Sequence, residues 1–386
     1  MPFWRSSSNA LGSPGAILSE GWGRGARGET MRKILILGAG KIGGAIVDML
    51  AATGDYDITI ADQDANFLGL VPAQKARRER IDVSDAAALR RTIRGHEAVI
   101  SALPFFLNPA VAKIAGENGA HYFDLTEDVA TTRAVRALAQ NSGAAYVPQC
   151  GLAPGFISIV AYDLAKRFDA LREVHMRVGA LPQFPANALK YNLTWSTDGL
   201  INEYCNPCEA IHEGKLTELL PLEGLEQFSL DGIDYEAFNT SGGLGTLCET
   251  LDGRVESLNY KTVRYPGHRE VIKMLLADLR LRDRRALLKD VLETAIPITH
   301  QDVVLIFVVV TGWRENRLTQ ESYAKKIYAR EISGKLMSAI QITTAAGICA
   351  MVDLHGAGKL PPSGFIKQEQ ADLGDFLANR FGKYYG

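Results

Sequence analysis

The chain has 386 residues, 47% hydrophobic and 22% charged, with a net charge of −2. This is the profile of an ordinary globular protein of two domains or one large one. It gives no electrostatic basis for binding nucleic acid or a membrane surface, and the longest apolar run, VVLIFVVV at 303–310, is far shorter than the roughly 20 residues of a membrane helix.

Residues 1–30 are rich in Gly, Ser and Arg, without periodicity or a continuous apolar stretch of signal-peptide length. They read as a disordered N-terminal extension, with Met31 a plausible original start and a transit peptide the weaker alternative. Apolar runs then predict strands over 33–37, 57–61, 76–81, 98–101, 121–124 and 144–147. Helical spacing falls between them, over 41–53, 85–93, 109–118 and 131–142. Such alternation predicts an α/β fold, a parallel sheet with helices on both faces, for a dinucleotide-binding domain over 31–152. The pattern changes after a helix at 155–168. Long alternating segments at 172–181, 189–196, 255–265, 302–313 and 321–332 predict an open mixed or antiparallel sheet in a second, α+β domain over 153–337. A long, nearly uncharged helix at 338–358 and a final amphipathic helix at 369–381 complete the chain.

The five cysteines, Cys150, Cys205, Cys208, Cys248 and Cys349, are odd in number and scattered, which suits a reducing, cytoplasmic compartment rather than a disulfide framework. YCNPC at 204–208 has no second pair to complete a zinc site, and no metal is expected.

The segment KILILGAGKIGGAIVDML carries G-x-G-x-x-G at Gly38, Gly40 and Gly43, enclosing Ala39, Lys41 and Ile42. A strand precedes the motif and a helix follows it, the context that dinucleotide binding requires. Gly38 allows the tight turn, Gly40 admits a pyrophosphate, and Gly43 lets helix and strand pack closely. Asp62 ends the second strand, 19 residues after Gly43, with Gln63 beside it. A carboxylate there binds ribose hydroxyls and repels a 2′-phosphate, which predicts NAD rather than NADP; Arg77 and Arg78 are not in the segment just after it. Asp82 and Val83 are placed to meet the adenine. Ser101, Ala102, Leu103 and Pro104 are placed to let the nicotinamide half pass the sheet edge.

The motifs SALPFFLNPAVAKIA, HYFDLTED, QCGLAPGF, VGALPQFP, TWSTDGLINEY and YKTVRYPGH resemble the saccharopine dehydrogenase family, most closely its bacterial lysine 6-dehydrogenases. The resemblance covers the chain from 31 to its end. It implies a Rossmann domain completed by C-terminal helices, a substrate domain whose open sheet mediates dimerisation, and hydride transfer from an amine-bearing carbon followed by imine hydrolysis. Saccharopine-forming relatives typically have aspartate where this chain has Ala153, and arginine where it has Asp198. These departures favour free lysine, oxidised at its ε-carbon to aminoadipate semialdehyde. A saccharopine or carboxynorspermidine-type reductase is the alternative, and a non-catalytic NAD-binding protein the second.

Oxidising an amine needs a base, and DLTED supplies carboxylates at the sheet edge. Glu127 and Asp124 are the candidate catalytic groups, with Thr126 and Asp128 beside them; Thr126 or Asp128 also suits a helix N-cap. Arg264 is the candidate for the substrate carboxylate, a surface salt bridge being its alternative role. Tyr265, His268, Asn239, Thr240, Asp198, Tyr191 and Trp195 complete the substrate-binding candidates, with His268 as either a proton shuttle or a loop histidine without a role.

Overall fold

The computed structural model describes residues 31–386, so the expectation for 1–30 lies outside the described residues. The first half builds β1 (Arg32–Leu37), α1 (Lys41–Ala51), β2 (Tyr56–Asp62), α2 (Ala65–Gly69), β3 (Arg77–Arg80), α3 (Ala86–Ile93) and β4 (Ala98–Ser101). It continues with α4 (Asn108–Glu117), β5 (His121–Asp124), α5 (Val129–Ala139) and β6 (Ala145–Val147). All six strands pair in parallel. Their central residues, such as Ile34, Leu35, Ile36 and Leu37, are fully buried, because helices cover both faces and leave no solvent side for polar alternation. The sheet runs β6-β5-β4-β1-β2-β3, so the direction of winding reverses between β1 and β4. Ligands bind open α/β sheets at such a point, beyond the carboxyl ends of the strands.

The chain then runs through α6 (Ile157–Ala165), β7 (Ala170–Pro182), α7 (Thr197–Cys205), β8 (Cys208–His212), β9 (Lys215–Leu219), β10 (Glu226–Leu230) and β11 (Ile233–Asn239). After these come α8 (Leu247–Thr250), β12 (Ser257–Arg264), α9 (His268–Lys273), α10 (Arg285–Ala295), β13 (Asp302–Arg314) and β14 (Arg317–Tyr328). The second sheet is mixed, in the order β10-β11-β12-β7-β13-β14, with β8 and β9 hung from β12. One face, with Val174, Met176, Val304, Ile306 and Val308, joins the main core together with α6 residues. The other face carries a smaller cluster around Leu181, Tyr235, Val263 and Leu305 that contains no helix residue.

A short hairpin, β15 (Arg330–Ile332) and β16 (Lys335–Met337), leads into α11 (Ala339–Gly356), β17 (Gly364–Phe365) and α12 (Leu373–Ala378). The chain here returns to the first sheet: α11 packs on α1, and β17 pairs in parallel with β6. The start of α11 is fixed by Asp302, whose carboxylate accepts from the amides of Ala339 (2.6 Å) and Ile340 (3.0 Å). The expected α/β class, with a mixed second sheet and returning C-terminal helices, is thus observed.

Two expectations fail. The segment 189–196 is not a strand. Its alternation arises because Leu189, Tyr191, Leu193 and Trp195 pack into a helical cluster with Leu200, Ile272 and Leu288, while the Leu193 amide donates to Pro297 rather than to a sheet neighbour. The final helix is shorter than expected, with α12 preceded and followed by single 3₁₀ turns.

Candidate active site at the edge of the first sheet

The turn after β1 is built for an anion. Gly38 has φ +97°, and a Cβ there would lie 2.7 Å from the Ala102 carbonyl oxygen, so only glycine fits. A Cβ on Gly43 would overlap the Gly38 carbonyl, whereas one on Gly40 would meet nothing, which leaves open space over the loop. Helix α1 starts at Gly40 with no side-chain cap and no acidic residue in its first turn. Its amides and its positive dipole end are therefore free for phosphate. The residues present fit a dinucleotide. Among the described residues, no group of three metal-ligating side chains could hold a metal ion.

Asp62 braces this turn. Its carboxylate accepts from the amides of Ala39 (2.7 Å) and Asp64 (2.8 Å). Gln63 and Asp82 line a groove on the same rim. Asp82 also accepts from the amide (2.9 Å) and hydroxyl (2.7 Å) of Ser84, which hold its carboxyl below the usual range. Val83 packs instead on the apolar cluster of the first sheet. Arg80 lines the same groove: it ends β3 in register with Asp62, and its Nε donates to the Gln63 carbonyl (3.0 Å). Sequence reasoning stopped at Arg77 and Arg78 and missed it, although the last residue of β3 necessarily shares the rim with the last residue of β2.

Beside the glycine loop opens a crevice of about 330 Å³. From the first half it takes Ile42, Ala102, Leu103, Pro104, Leu125, Thr126 and Glu127. The second sheet adds Tyr260, Thr262 and Arg264, and helix α7 with its approach adds Trp195 and Glu203. Ser101 does not line it; this buried side chain donates to Asn108 (2.7 Å) and secures the loop from below. Lys41 does not line it either.

Glu127 is pressed into the crevice from two sides. A Cβ on Gly199 in α7 would come within 2.7 Å of its Oε1, and Gly242 packs against its backbone. Burial first, then the neighbouring Asp128 and Asp124 charges, raise its pKa to about 7. Desolvation dominates this shift, and the crowding of carboxylates adds to it.

Arg264 is 3% exposed. Its Nε donates to the Tyr204 hydroxyl (2.9 Å), and its Nη1 to Thr262 Oγ1 (2.7 Å) and the Val263 carbonyl (2.8 Å). The guanidinium lies 5.0 Å from the centre of the Tyr191 ring, and the Tyr191 hydroxyl accepts from Trp195 Nε1 (3.1 Å). Arg264 is therefore no surface salt bridge. It is an oriented, buried cation with its second terminal nitrogen left for a ligand, and Tyr191 braces it from behind.

Several candidates lie elsewhere. Asp124 is fully buried and accepts from the amides of Thr126 (2.9 Å) and Gln149 (3.0 Å) and from the Tyr122 hydroxyl (2.8 Å). It does not line the crevice, and it ties β5 to β6 rather than meeting a ligand. Asp128 is the N-cap of α5, accepting from the Thr131 amide (2.7 Å). Asp198 is turned to Lys289 at 2.6 Å, away from the crevice. His268 is fully buried between the Tyr204 hydroxyl (3.0 Å) and the Leu189 carbonyl (2.8 Å). Burial and the Arg264 charge lower its pKa to about 3, so it stays neutral and is no proton shuttle at neutral pH. Tyr265 faces the far side of the second sheet, stacked on Tyr235 with its hydroxyl donating to Pro182 (2.8 Å). Asn239 and Thr240 are buried and do not line the crevice.

Glu203 was missed. The segment GLINEY places a lone glutamate among Leu200, Ile201 and Tyr204, four residues after Gly199 and so on its helix face. That charge among apolar neighbours, on the face of Gly199, was the available signal. Burial chiefly raises its pKa to about 8, with Arg264 opposing and Glu127 reinforcing the shift.

Comparison with known proteins agrees with this architecture. Residues 34–147 match the saccharopine dehydrogenase NADP binding domain, and residues 151–383 match the saccharopine dehydrogenase C-terminal domain. Saccharopine dehydrogenase [NADP(+), L-glutamate-forming] of Saccharomyces cerevisiae is 26% identical over 271 residues, 65% of this chain and 59% of that protein. Mitochondrial alpha-aminoadipic semialdehyde synthase of Mus musculus is 24% identical over 200 residues, 50% of this chain and 22% of that protein. The chain thus spans less than two thirds of the length of these curated relatives. The apo crystal structure of the Saccharomyces cerevisiae L-Glu-forming saccharopine dehydrogenase superposes with a TM-score of 0.72 at 18% identity, covering 87% of this chain and 93% of that one, and shares the fold. None of these relatives is named a lysine 6-dehydrogenase, so they do not carry that finer resemblance. With both halves of the chain matched, it belongs to the saccharopine dehydrogenase family.

Proposed function

We propose that the protein is an NAD-dependent dehydrogenase that oxidises the ε-carbon of L-lysine. The observation that carries this reading is the charge of the crevice: one cation, Arg264, stands among its lining residues, facing two carboxylates, Glu127 and Glu203. One guanidinium suits the single carboxylate of lysine. Saccharopine carries three carboxylates, and two of them would be left against glutamates. Asp198 contributes nothing to this charge, because its side chain is engaged by Lys289. Ala153 does line the crevice and leaves it without a further acid there.

Arg264 holds the substrate carboxylate, and Trp195 and Leu125 flank the aliphatic chain. Glu127 takes a proton from the ε-ammonium, so that the nitrogen lone pair can form the C=N bond as the hydride departs. The nicotinamide, when bound, supplies the hydride acceptor. Water adds to the imine, and ammonia leaves to give aminoadipate semialdehyde. The second reading, a saccharopine-type reductase, is favoured by the name of the Saccharomyces cerevisiae relative. Reduced-nicotinamide absorbance with lysine, with saccharopine, and with lysine plus 2-oxoglutarate separates the two. Turnover of saccharopine alone would overturn the lysine reading.

Preference for NAD rests on Asp62. Arg80 on the same rim is the cation a 2′-phosphate would use, so the two side chains oppose each other. Replacing Asp62 with Ser is expected to weaken NAD about tenfold or more, the scale of a lost charge-assisted hydrogen bond, and to favour NADP. An unchanged NAD/NADP ratio of kcat/KM would remove Asp62 from this role.

We further propose a homodimer formed through the helix-free face of the second sheet, where Phe228, Tyr265 and Phe307 lie half-buried. Sedimentation velocity is expected to show a dimer that Phe307→Lys dissociates; a monomeric wild type would refute it. The five free cysteines suit a reducing, cytoplasmic setting.

A further inference from the structure

Glu203 and Arg264 pose an unusual electrostatic problem. The glutamate is 9% exposed and the arginine 3%. Both line one crevice, and each feels the other's charge. Yet they form no ion pair: the guanidinium spends its bonds on Tyr204, Thr262 and the Val263 carbonyl. The Glu203 carboxylate has no hydrogen-bond donor among the described residues, and its environment acts on it only through burial and the Arg264 and Glu127 charges. Leaving a buried carboxylate without a donor is costly. The fold nevertheless holds it in place. The Glu203 carbonyl accepts from the Ser241 amide (3.0 Å), and the adjacent Tyr204 hydroxyl is the group that orients Arg264. One helical turn thus sets the spacing of an acid and a base around a shared space.

We propose that Glu203 and Arg264 form a clamp for the α-carbon of an amino acid, Arg264 taking the carboxylate and Glu203 the α-ammonium. A zwitterion set between them supplies both missing partners at once: acceptor oxygens for the free guanidinium nitrogen, and N–H donors for the orphaned carboxylate. Glu127 then remains for the reacting amine. The assignment makes the crevice selective for α-amino acids over simple carboxylates or amines. It deepens the amino-acid reading above but does not depend on which carbon is oxidised.

The test uses two probes that differ only in the α-ammonium and contain no ε-amine: L-norleucine and hexanoate, titrated calorimetrically into the full chain with NAD present. Wild type is expected to bind norleucine about tenfold to a hundredfold more tightly than hexanoate, the scale of charge-assisted hydrogen bonds. Glu203→Gln, nearly isosteric, should erase that preference while leaving hexanoate affinity within about threefold; Arg264→Lys should weaken both probes. Equal affinities in wild type, no binding of either probe, or a preference that survives Glu203→Gln would each overturn the clamp. The wild-type comparison stands even if the variant does not fold. Failure of the lysine reading shows separately: norleucine discriminates as expected, while lysine produces no reduced nicotinamide.

Discussion

Replacing Glu127 with Gln is expected to lower kcat with lysine and NAD about 10²- to 10⁴-fold, the usual worth of a positioned general base, while KM changes little. Gln keeps the shape that fits beneath Gly199, so NAD binding and thermal stability should survive. The pH profile gives an independent readout. The base must be ionised, and burial raises its pKa to about 7. The wild-type rate should therefore be low below pH 6, rise tenfold per unit, and level above about pH 8. Glu127→Gln should lose this limb. A variant with near-normal kcat and the same profile would reduce Glu127 to a structural residue of the loop. The same shift bears on stability with the opposite tendency. The native glutamate binds its proton more tightly than the unfolded one, so stability contributed by this group is full below about pH 4.5 and is lost as pH rises through about 7.

The second large effect is at Arg264. Truncation to Ala should reduce kcat/KM for lysine about 10²- to 10³-fold, mainly through KM, because a buried charge partner is removed from the substrate carboxylate. Lysine at this position should recover only part of the loss, since an ammonium cannot reproduce the fork that bonds Tyr204 and Thr262 while presenting a further nitrogen. Arg264 also supports the fold through those bonds, so melting temperature alone would not separate the two roles. A KM for NAD that stays constant while KM for lysine rises would. Equal rises in both, or a melting shift without any KM change, would assign Arg264 to structure.

The two halves of the chain were legible in the sequence to different degrees, for a physical reason. In the first half, buried parallel strands read as aliphatic runs, and helices α2, α3 and α5 each start at a capping aspartate, Asp64, Asp85 and Asp128. Strand ends consequently locate the ligand side, and Gly38, Asp62 and Glu127 follow from it. The second half mixes sheet pairing with irregular packing. Alternation at 189–196 looked like a strand because Tyr191, Leu193 and Trp195 bury alternately against helices. Strands β8 to β11 are short and partly exposed, with too little apolar contrast to stand out.

Which charged residues of the second half face the crevice was set by tertiary contacts that spacing does not encode. Asp198 and Glu203 sit on one short helix. Asp198, in its first turn, meets Lys289 from α10, whereas Glu203 shares its face with Gly199 and turns inward. His268 follows Arg264 by four residues, yet the turn at Gly267 carries it behind the arginine, where it supports Tyr204 rather than the ligand. Arg264, the guanidinium of RYPGH, was readable as a carboxylate ligand with a surface salt bridge as its alternative, and Tyr191 was among the candidates, but Tyr204, which orients it, was not.

The proposed reaction requires a hydride to leave the ε-carbon of an amino acid held beside the glycine loop. The most direct test supplies L-lysine deuterated at its ε-carbon together with NAD, and analyses the reduced nicotinamide by mass spectrometry. One deuterium in the reduced cofactor and a slower rate than with unlabelled lysine are expected. Reduced cofactor without deuterium, or no reduction with lysine while saccharopine is oxidised, would contradict the proposed reaction.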